Sequence, residues 1–278
     1  MTTLGAYELD SINHCDLFAL CDGLPDASVD MVLCDLPYGT TACSWDTVIP
    51  FAPMWERFRR VIKPRGAIVL TATDPFSTVL KMSNWDWYKY SWVWVKSNAG
   101  DAMNVKNRPM RQHEDVCVFS EGTTANKSLD RMPYYPQGLV RSIRQRGSSD
   151  NDYGKFGGSF KTFRPSHHPY VQEWENYPTT ILKFPNEIGL HPTQKPVALF
   201  EYLIRTYTRE GDVVLDPCVG SGTTALAARN AKRHWICGDS DSHYCDVARD
   251  RLRLPFEAKH VKASDDVSDL PLFASAPR

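Results

Sequence analysis

Several features are missing from this sequence of 278 residues, and each absence excludes something. No apolar run approaches the roughly 18 residues that a membrane helix needs. The first ten residues lack a basic-then-apolar signal segment, so a cytoplasmic chain without membrane partners is expected. The eight cysteines, at 15, 21, 34, 43, 117, 218, 237 and 245, form no CxxC pair. A zinc site or a disulfide framework is therefore disfavoured, no metal is expected, and a reducing compartment fits. There is no internal repeat and no complete GxGxxG. There is also no overall excess of positive charge, since the net charge is −1. That rules out a uniformly basic coat for nucleic acid but not a local patch.

A local patch is present. Residues 127–164 carry eight basic side chains against three acids, a net +5 that leaves −6 on the remainder. The stretch is rich in Gly, Ser, Tyr and Phe. A solvated loop is the plain reading. A basic loop interleaved with aromatics is also how phosphate backbones are gripped.

Short apolar runs predict seven strands, at Ile12–Cys15, Val29–Cys34, Ala67–Ala72, Ser91–Val95, Val116–Phe119, Val213–Leu215 and Trp235–Cys237. Several are continuous rather than alternating, as in strands covered on both faces. Between them, Phe51, Met54, Trp55 and Phe58 fall at helical spacing, as do Phe200, Leu203, Ile204 and Tyr207, and Tyr244, Val247, Ala248 and Leu252. Alternation of strand and helix predicts a doubly wound α/β sheet. It lapses between Ser120 and about Leu190, which reads as an insertion. From Pro255 the chain is polar and aperiodic, the pattern of a tail.

Two strand ends carry chemistry. In DVVLDPCVGSGTT (212–224) a strand runs into Asp216, a turn containing Gly220, Ser221 and Gly222, and a helix from about Thr223. Glycines there let the backbone approach a ligand. Nineteen residues past Gly220, the next strand ends at Asp239, an acid placed to accept ribose hydroxyls. Asp216 would repel a phosphate but suits a cation. S-adenosylmethionine carries a sulfonium, an ammonium and no phosphate. In VDMVLCDLPYG (29–39) a second strand ends at Asp35, followed by Leu36, Pro37, Tyr38 and Gly39. An exocyclic amino nitrogen is a poor nucleophile because its lone pair is delocalised. Asp35 and a backbone carbonyl near Leu36 or Pro37 could accept its two hydrogens and turn the lone pair toward a methyl group. Proline stiffens such a segment and removes a donor. Tyr38 offers a face on which an everted base can stack.

DLPYG at 35–39 together with DPCVGSGTT at 216–224 resembles the amino-methylating DNA methyltransferases, with their D/S/N-P-P-Y and DPFxGSGTT motifs. HPTQKP at 191–196 resembles the family segment that closes over the methionine part of the cofactor, which implies Lys195 as a cofactor-binding residue. His14 to Asp16, with LPDASVD at 24–30, resembles the segment whose Asp contacts the cofactor adenine, here Asp16. RPMRQHED at 108–115 resembles the run before the last strand. The motif order resembles the permuted beta class.

The resemblance implies a Rossmann-like sheet of seven strands, one antiparallel. It implies a catalytic half (1–119), a target-recognition insertion (120–185), a cofactor half (186–254) and a tail (255–278). Double-stranded DNA is the implied partner, with Lys127, Tyr134, Tyr135, Arg141, Arg144 and Arg146 as contacts. A homodimer and a cognate restriction endonuclease stay open as further partners. Leu36 stands where the family usually has proline. Cys218 stands where it has an aromatic, and is counted with the cofactor turn rather than as a thiolate nucleophile. Asp at the first motif position resembles the adenine-N6 members more than the cytosine-N4 members. Cytosine N4, RNA or a protein glutamine remain as other methyl acceptors, and a non-catalytic nucleic-acid-binding protein as a different class.

Overall fold

The structure is a computed structural model and describes residues 2–39, 46–146, 170–187 and 194–253. Residues from 254 and residues 147–169, which include the second part of the basic stretch, lie outside the described residues.

In chain order the strands are β1 (Thr3–Leu4), β2 (Tyr7–Glu8), β3 (Ser11–His14), β4 (Val29–Asp35), β5 (Ile62–Ala72), β6 (Tyr88–Gly100), β7 (Arg111–Phe119), β8 (Val140–Arg146), β9 (Tyr170–Glu175), β10 (Ile181–Lys183), β11 (Val213–Asp216) and β12 (His234–Asp239). The helices are α1 (Leu17–Asp22), α2 (Phe51–Val61), α3 (Phe76–Ser83), α4 (Val197–Tyr207), α5 (Thr223–Asn230) and α6 (Ser242–Arg253). Eight strands form one sheet in the order β10-β6-β7-β5-β4-β11-β12-β3. Only β7 runs against its neighbours, β5 and β6. The seven expected strands and the single antiparallel one are all present. The eighth, β10, adds three residues to the edge beside β6. Its ILK is too short to register as an apolar run, and it forms because β6 offers an open edge.

Strand alternation divides the core. Met31, Leu33, Ala67 and Val69 face one side, where they meet buried residues of α4, α5 and α6 such as Phe200, Leu203, Ala225 and Ala248. Val32, Cys34, Ile68 and Leu70 face the other, against Leu20, Met54, Phe58 and Leu80 of α1, α2 and α3. Both faces are covered, which is why these strands read as continuous apolar runs. Fully burying each such side chain stabilises the fold by about 1.5–3 kcal/mol. Among the described residues, no helix is long and apolar enough to cross a membrane.

The chain leaves this sheet at its foot. Ser120, just past β7, donates its hydroxyl to the Arg65 carbonyl near the start of β5. Residues 123–137 then run beside the end of α4, where the Tyr135 amide donates to the Thr206 carbonyl at 2.7 Å. β8 and β9 pair as a separate antiparallel ribbon. The interval read as an interruption of the α/β alternation thus contains strands and, among the described residues, no helix.

Candidate active site

Parallel neighbours β4 and β11 sit where the strand order changes direction, and open α/β sheets bind ligands in the crevice beyond such strand ends. A cavity of about 570 Å³ opens there, and Asp35, Asp216 and Asp239 all line it. Asp16, Lys195, Cys218, Gly220, Ser221 and Thr223 line it too. Residues 188–193, the first part of HPTQKP included, lie outside the described residues.

At the end of β4, Asp35 is held on both oxygens. Its Oδ1 accepts from the Tyr38 hydroxyl at 2.7 Å and from the Thr71 hydroxyl of β5. Its Oδ2 accepts from Lys195 Nζ at 2.7 Å. Leu36 is buried and anchors the turn, so leucine in place of proline there gains a core contact. The Tyr38 ring lies 5.1 Å from that of Phe76 in a stacked arrangement, with Lys195 Nζ 5.6 Å from its centroid. Gly39, with φ of 68°, donates its amide to the buried Asp46 at 2.8 Å and closes the loop.

Lys195 stands at the catalytic end of the crevice. It is 5% exposed and also lies 3.4 Å from Glu114 Oε2. Burial alone would lower its pKa, but the Asp35 and Glu114 carboxylates outweigh burial and hold it above the ordinary lysine value. Glu114 in turn pairs with Lys96 at 2.5 Å. Thr71, Glu114 and Lys96 were not singled out from sequence. Thr71 is the lone polar residue of the run AIVLTA, and Glu114 sits inside RPMRQHED; those are the only signals they give.

In the cofactor turn, Asp216 is buried. It accepts the Cys218 amide at 3.0 Å and the Thr224 hydroxyl. Burial pushes its pKa up to about 7. The Cys218 thiol contacts Cys34, which pulls its pKa down, but burial and the nearby Asp216 push it up further, and the net shift disfavours a thiolate nucleophile. Gly220 and Gly222 have φ of 50° and 85°, in the left-handed region. Asp239 ties the two strand ends together, its Oδ2 accepting the Gly220 amide at 2.9 Å. Across the cavity, Asp16 caps α1 through Oδ1 to the Ala19 amide. The donor set fits S-adenosylmethionine. Asp16, Asp216 and Asp239 on the cavity wall suit a ligand with a sulfonium, an ammonium and ribose hydroxyls.

Of the expected DNA contacts, Lys127, Tyr134, Tyr135 and Arg141 do not line this cavity. Tyr135 is 5% exposed, and its hydroxyl accepts from Arg209 Nε at 2.8 Å beside the start of β11. It is a packing residue at the opposite end of the strand from Asp216, on the order of 10 Å away along the chain axis. Tyr134 packs against Tyr207 in the same neighbourhood, and Lys127 is exposed near the same foot of the sheet. Arg141 is exposed on β8. The side chains of residues 143–146, with Arg144 and Arg146, lie outside the description, but their backbone positions pair with 172 and 170.

A doubly wound sheet with this acid-lined turn at its switch point defines an S-adenosylmethionine-dependent methyltransferase. The chain belongs to the DNA methylase family that acts at N6 and N4 amino groups: the family model matches residues 29–250. Type II methyltransferase M2.DpnII of Streptococcus pneumoniae is 50% identical over 270 residues, covering 88% of this chain and 90% of that protein. Type II methyltransferase M.HpaI of Haemophilus parainfluenzae is 28% identical, covering 88% and 77%. The fold is shared with the M1.HpyAVI-SAM complex (TM-score 0.55, 20% identity, 88% and 99% covered). It is shared also with PvuII DNA methyltransferase, described as cytosine-N4-specific (TM-score 0.59, 16% identity, 94% and 89% covered).

Proposed function

We propose that, within this family, the chain methylates adenine at N6 in duplex DNA. The reading rests on Asp35, a carboxylate at the first motif position, fixed by two hydroxyls on Oδ1 so that Oδ2 faces the crevice side that holds Lys195. When bound, S-adenosylmethionine would supply an electrophilic methyl group to the amino nitrogen, and the proton that nitrogen gives up would pass to water by way of Asp35. Asp35 accepts one amino hydrogen, and the Leu36 or Pro37 carbonyl accepts the other. The nitrogen lone pair is thereby drawn out of conjugation. The Tyr38 ring, steadied by Phe76, supports the extruded base. Asp16 and Asp239 would hold the adenosine part of the cofactor, and Asp216 its cationic end.

Residues 120–185 serve as the target-recognition region in this reading. The irregular register between Arg141 and Arg144 matters for it. It sets positions 141, 144 and 146 opposite 174, 172 and 170, which are alternate positions of one strand and so share a face. Arginines at those three positions would suit a phosphate backbone. The test is to methylate a random-sequence DNA pool and identify the modified base and its context. N6-methyladenine at a fixed context supports the reading, and N4-methylcytosine overturns it.

A further inference from the structure

Four charged side chains from four separate segments form an alternating row: Asp35 at the end of β4, Lys195 before α4, Glu114 on β7 and Lys96 on β6. The row is unevenly filled. Lys195 sits at full hydrogen-bond distance from Asp35, 2.7 Å, but at 3.4 Å from Glu114 Oε2. That Glu114 oxygen is buried and, among the described residues, meets only this long ion-pair contact, although its other oxygen meets Lys96 at 2.5 Å. A buried carboxylate oxygen held only at that distance is costly. It lies within a small swing of a flexible ammonium.

The ammonium occupies the place that the reaction needs. It bonds Asp35 Oδ2 while lying off the Tyr38 ring, as an amino group would on a base supported there. On a carboxylate, an ammonium adds the attraction of opposite charges that a neutral amino group lacks, so it is the stronger partner. A base could not displace Lys195 from Asp35 unless the ammonium had another anion to meet. Glu114 Oε2 is that anion, and closing from 3.4 Å to about 2.8 Å would complete the bond.

We propose that Lys195 is a placeholder on Asp35 that moves onto Glu114 when the target amino group arrives. Glu114 and Lys195 are then positioning residues that govern how readily Asp35 is surrendered to the base. The inference rests on the amino-methylation reading of the site but not on which base is modified.

The experiment follows labelled methyl transfer from S-adenosylmethionine to mixed-sequence DNA. It compares the full-length chain with Glu114→Gln, Lys195→Arg, and the Glu114→Gln/Lys195→Met pair, with calorimetric cofactor binding measured for each. Glu114→Gln should trap Lys195 on Asp35 and lower kcat by about tenfold, with cofactor affinity within about twofold. The double variant, with the placeholder gone, should regain at least about threefold of that loss. Residues with only a packing role would make the double variant worse. Lys195→Arg keeps the charge but grips Asp35 with a planar fork, and should also lower kcat by about tenfold. A double variant no faster than Glu114→Gln overturns the relay, as does wild-type turnover in Glu114→Gln or Lys195→Arg. If the wild-type chain itself labels no DNA, the amino-methylation reading falls, and the relay with it.

Discussion

Asp35 and Asp216 show how two carboxylates about one strand apart take different work from their surroundings. Asp35 is held by hydroxyls and an ammonium, so its replacement removes an acceptor for the reacting group and leaves the cofactor turn intact. Asp35→Ala should reduce methyl transfer to below a tenth of wild type while cofactor affinity stays within a few fold, as expected for a contact made in the transition state. Rates together with a binding isotherm check this. Asp216 is buried, with its pKa raised to about 7. Between the ordinary carboxylate value and about 7, the folded chain keeps a proton there that the unfolded chain has lost. This group therefore makes stability fall as pH rises across that window, with no further change above it. A cation bound beside Asp216 expels the proton. Cofactor affinity should then rise with pH, by up to about tenfold per unit, and level off near 7. Asp216→Asn should flatten that profile in calorimetry at a series of pH values. A wild-type affinity that does not vary below pH 7 would place the cation elsewhere.

Elements decide how these residues are held, and also how far they can be read from sequence. The turn from β11 to α5 was legible because glycine spacing and two strand-end acids each have a physical meaning. Gly222 shows what that spacing encodes. Its φ is 85°, and a Cβ there would lie 2.9 Å from Ala248 Cβ and 3.0 Å from Ala248 Cα on α6. Gly222→Ala should therefore destabilise the fold by about 2–4 kcal/mol, from left-handed strain and overpacking together. A denaturant titration measures it. Asp239→Ala should weaken cofactor binding by roughly 1–3 kcal/mol. Part of that loss comes from the Gly220 amide, which would lose its acceptor. Calorimetric affinity equal to wild type would mean that the ribose is held elsewhere. The central strands were legible because both faces are buried. β10 and the β8–β9 ribbon were not, since an edge strand depends on what its neighbour leaves open. Thr71, Glu114 and Lys96 were hidden for a related reason. Their role arises from side-by-side strands that are distant in sequence, and no local spacing records it. Lys195 was expected at the cofactor through its motif, and its attachment to Asp35 was not legible. Tyr135 was misjudged because an aromatic beside a basic stretch looks the same in sequence whether it stacks on a base or packs under Arg209.

At the scale of the whole molecule, a chain of net charge −1 must concentrate its attraction for DNA. Changing Arg141, Arg144 and Arg146 together to Ala should flatten the dependence of log affinity on log salt by about two to three units, at roughly 0.9 per phosphate contact. Cofactor affinity should not change. An unchanged slope with unchanged sequence preference would move the DNA contacts to the rim of the crevice, where Arg108 and Arg111 lie. Where the insertion joins the sheet has a consequence for descent. The chain departs at the foot of the sheet beyond β7 and returns on the three-residue border strand β10, so the reacting carboxylate and the cofactor turn share a scaffold through which the insertion does not pass. If residues 120–185 read the target as proposed, the β8–β9 ribbon, unlike the part near Met132 and Tyr135 that packs into the core, is where descent could rewrite or exchange sequence and redirect an inherited chemistry without inventing it again.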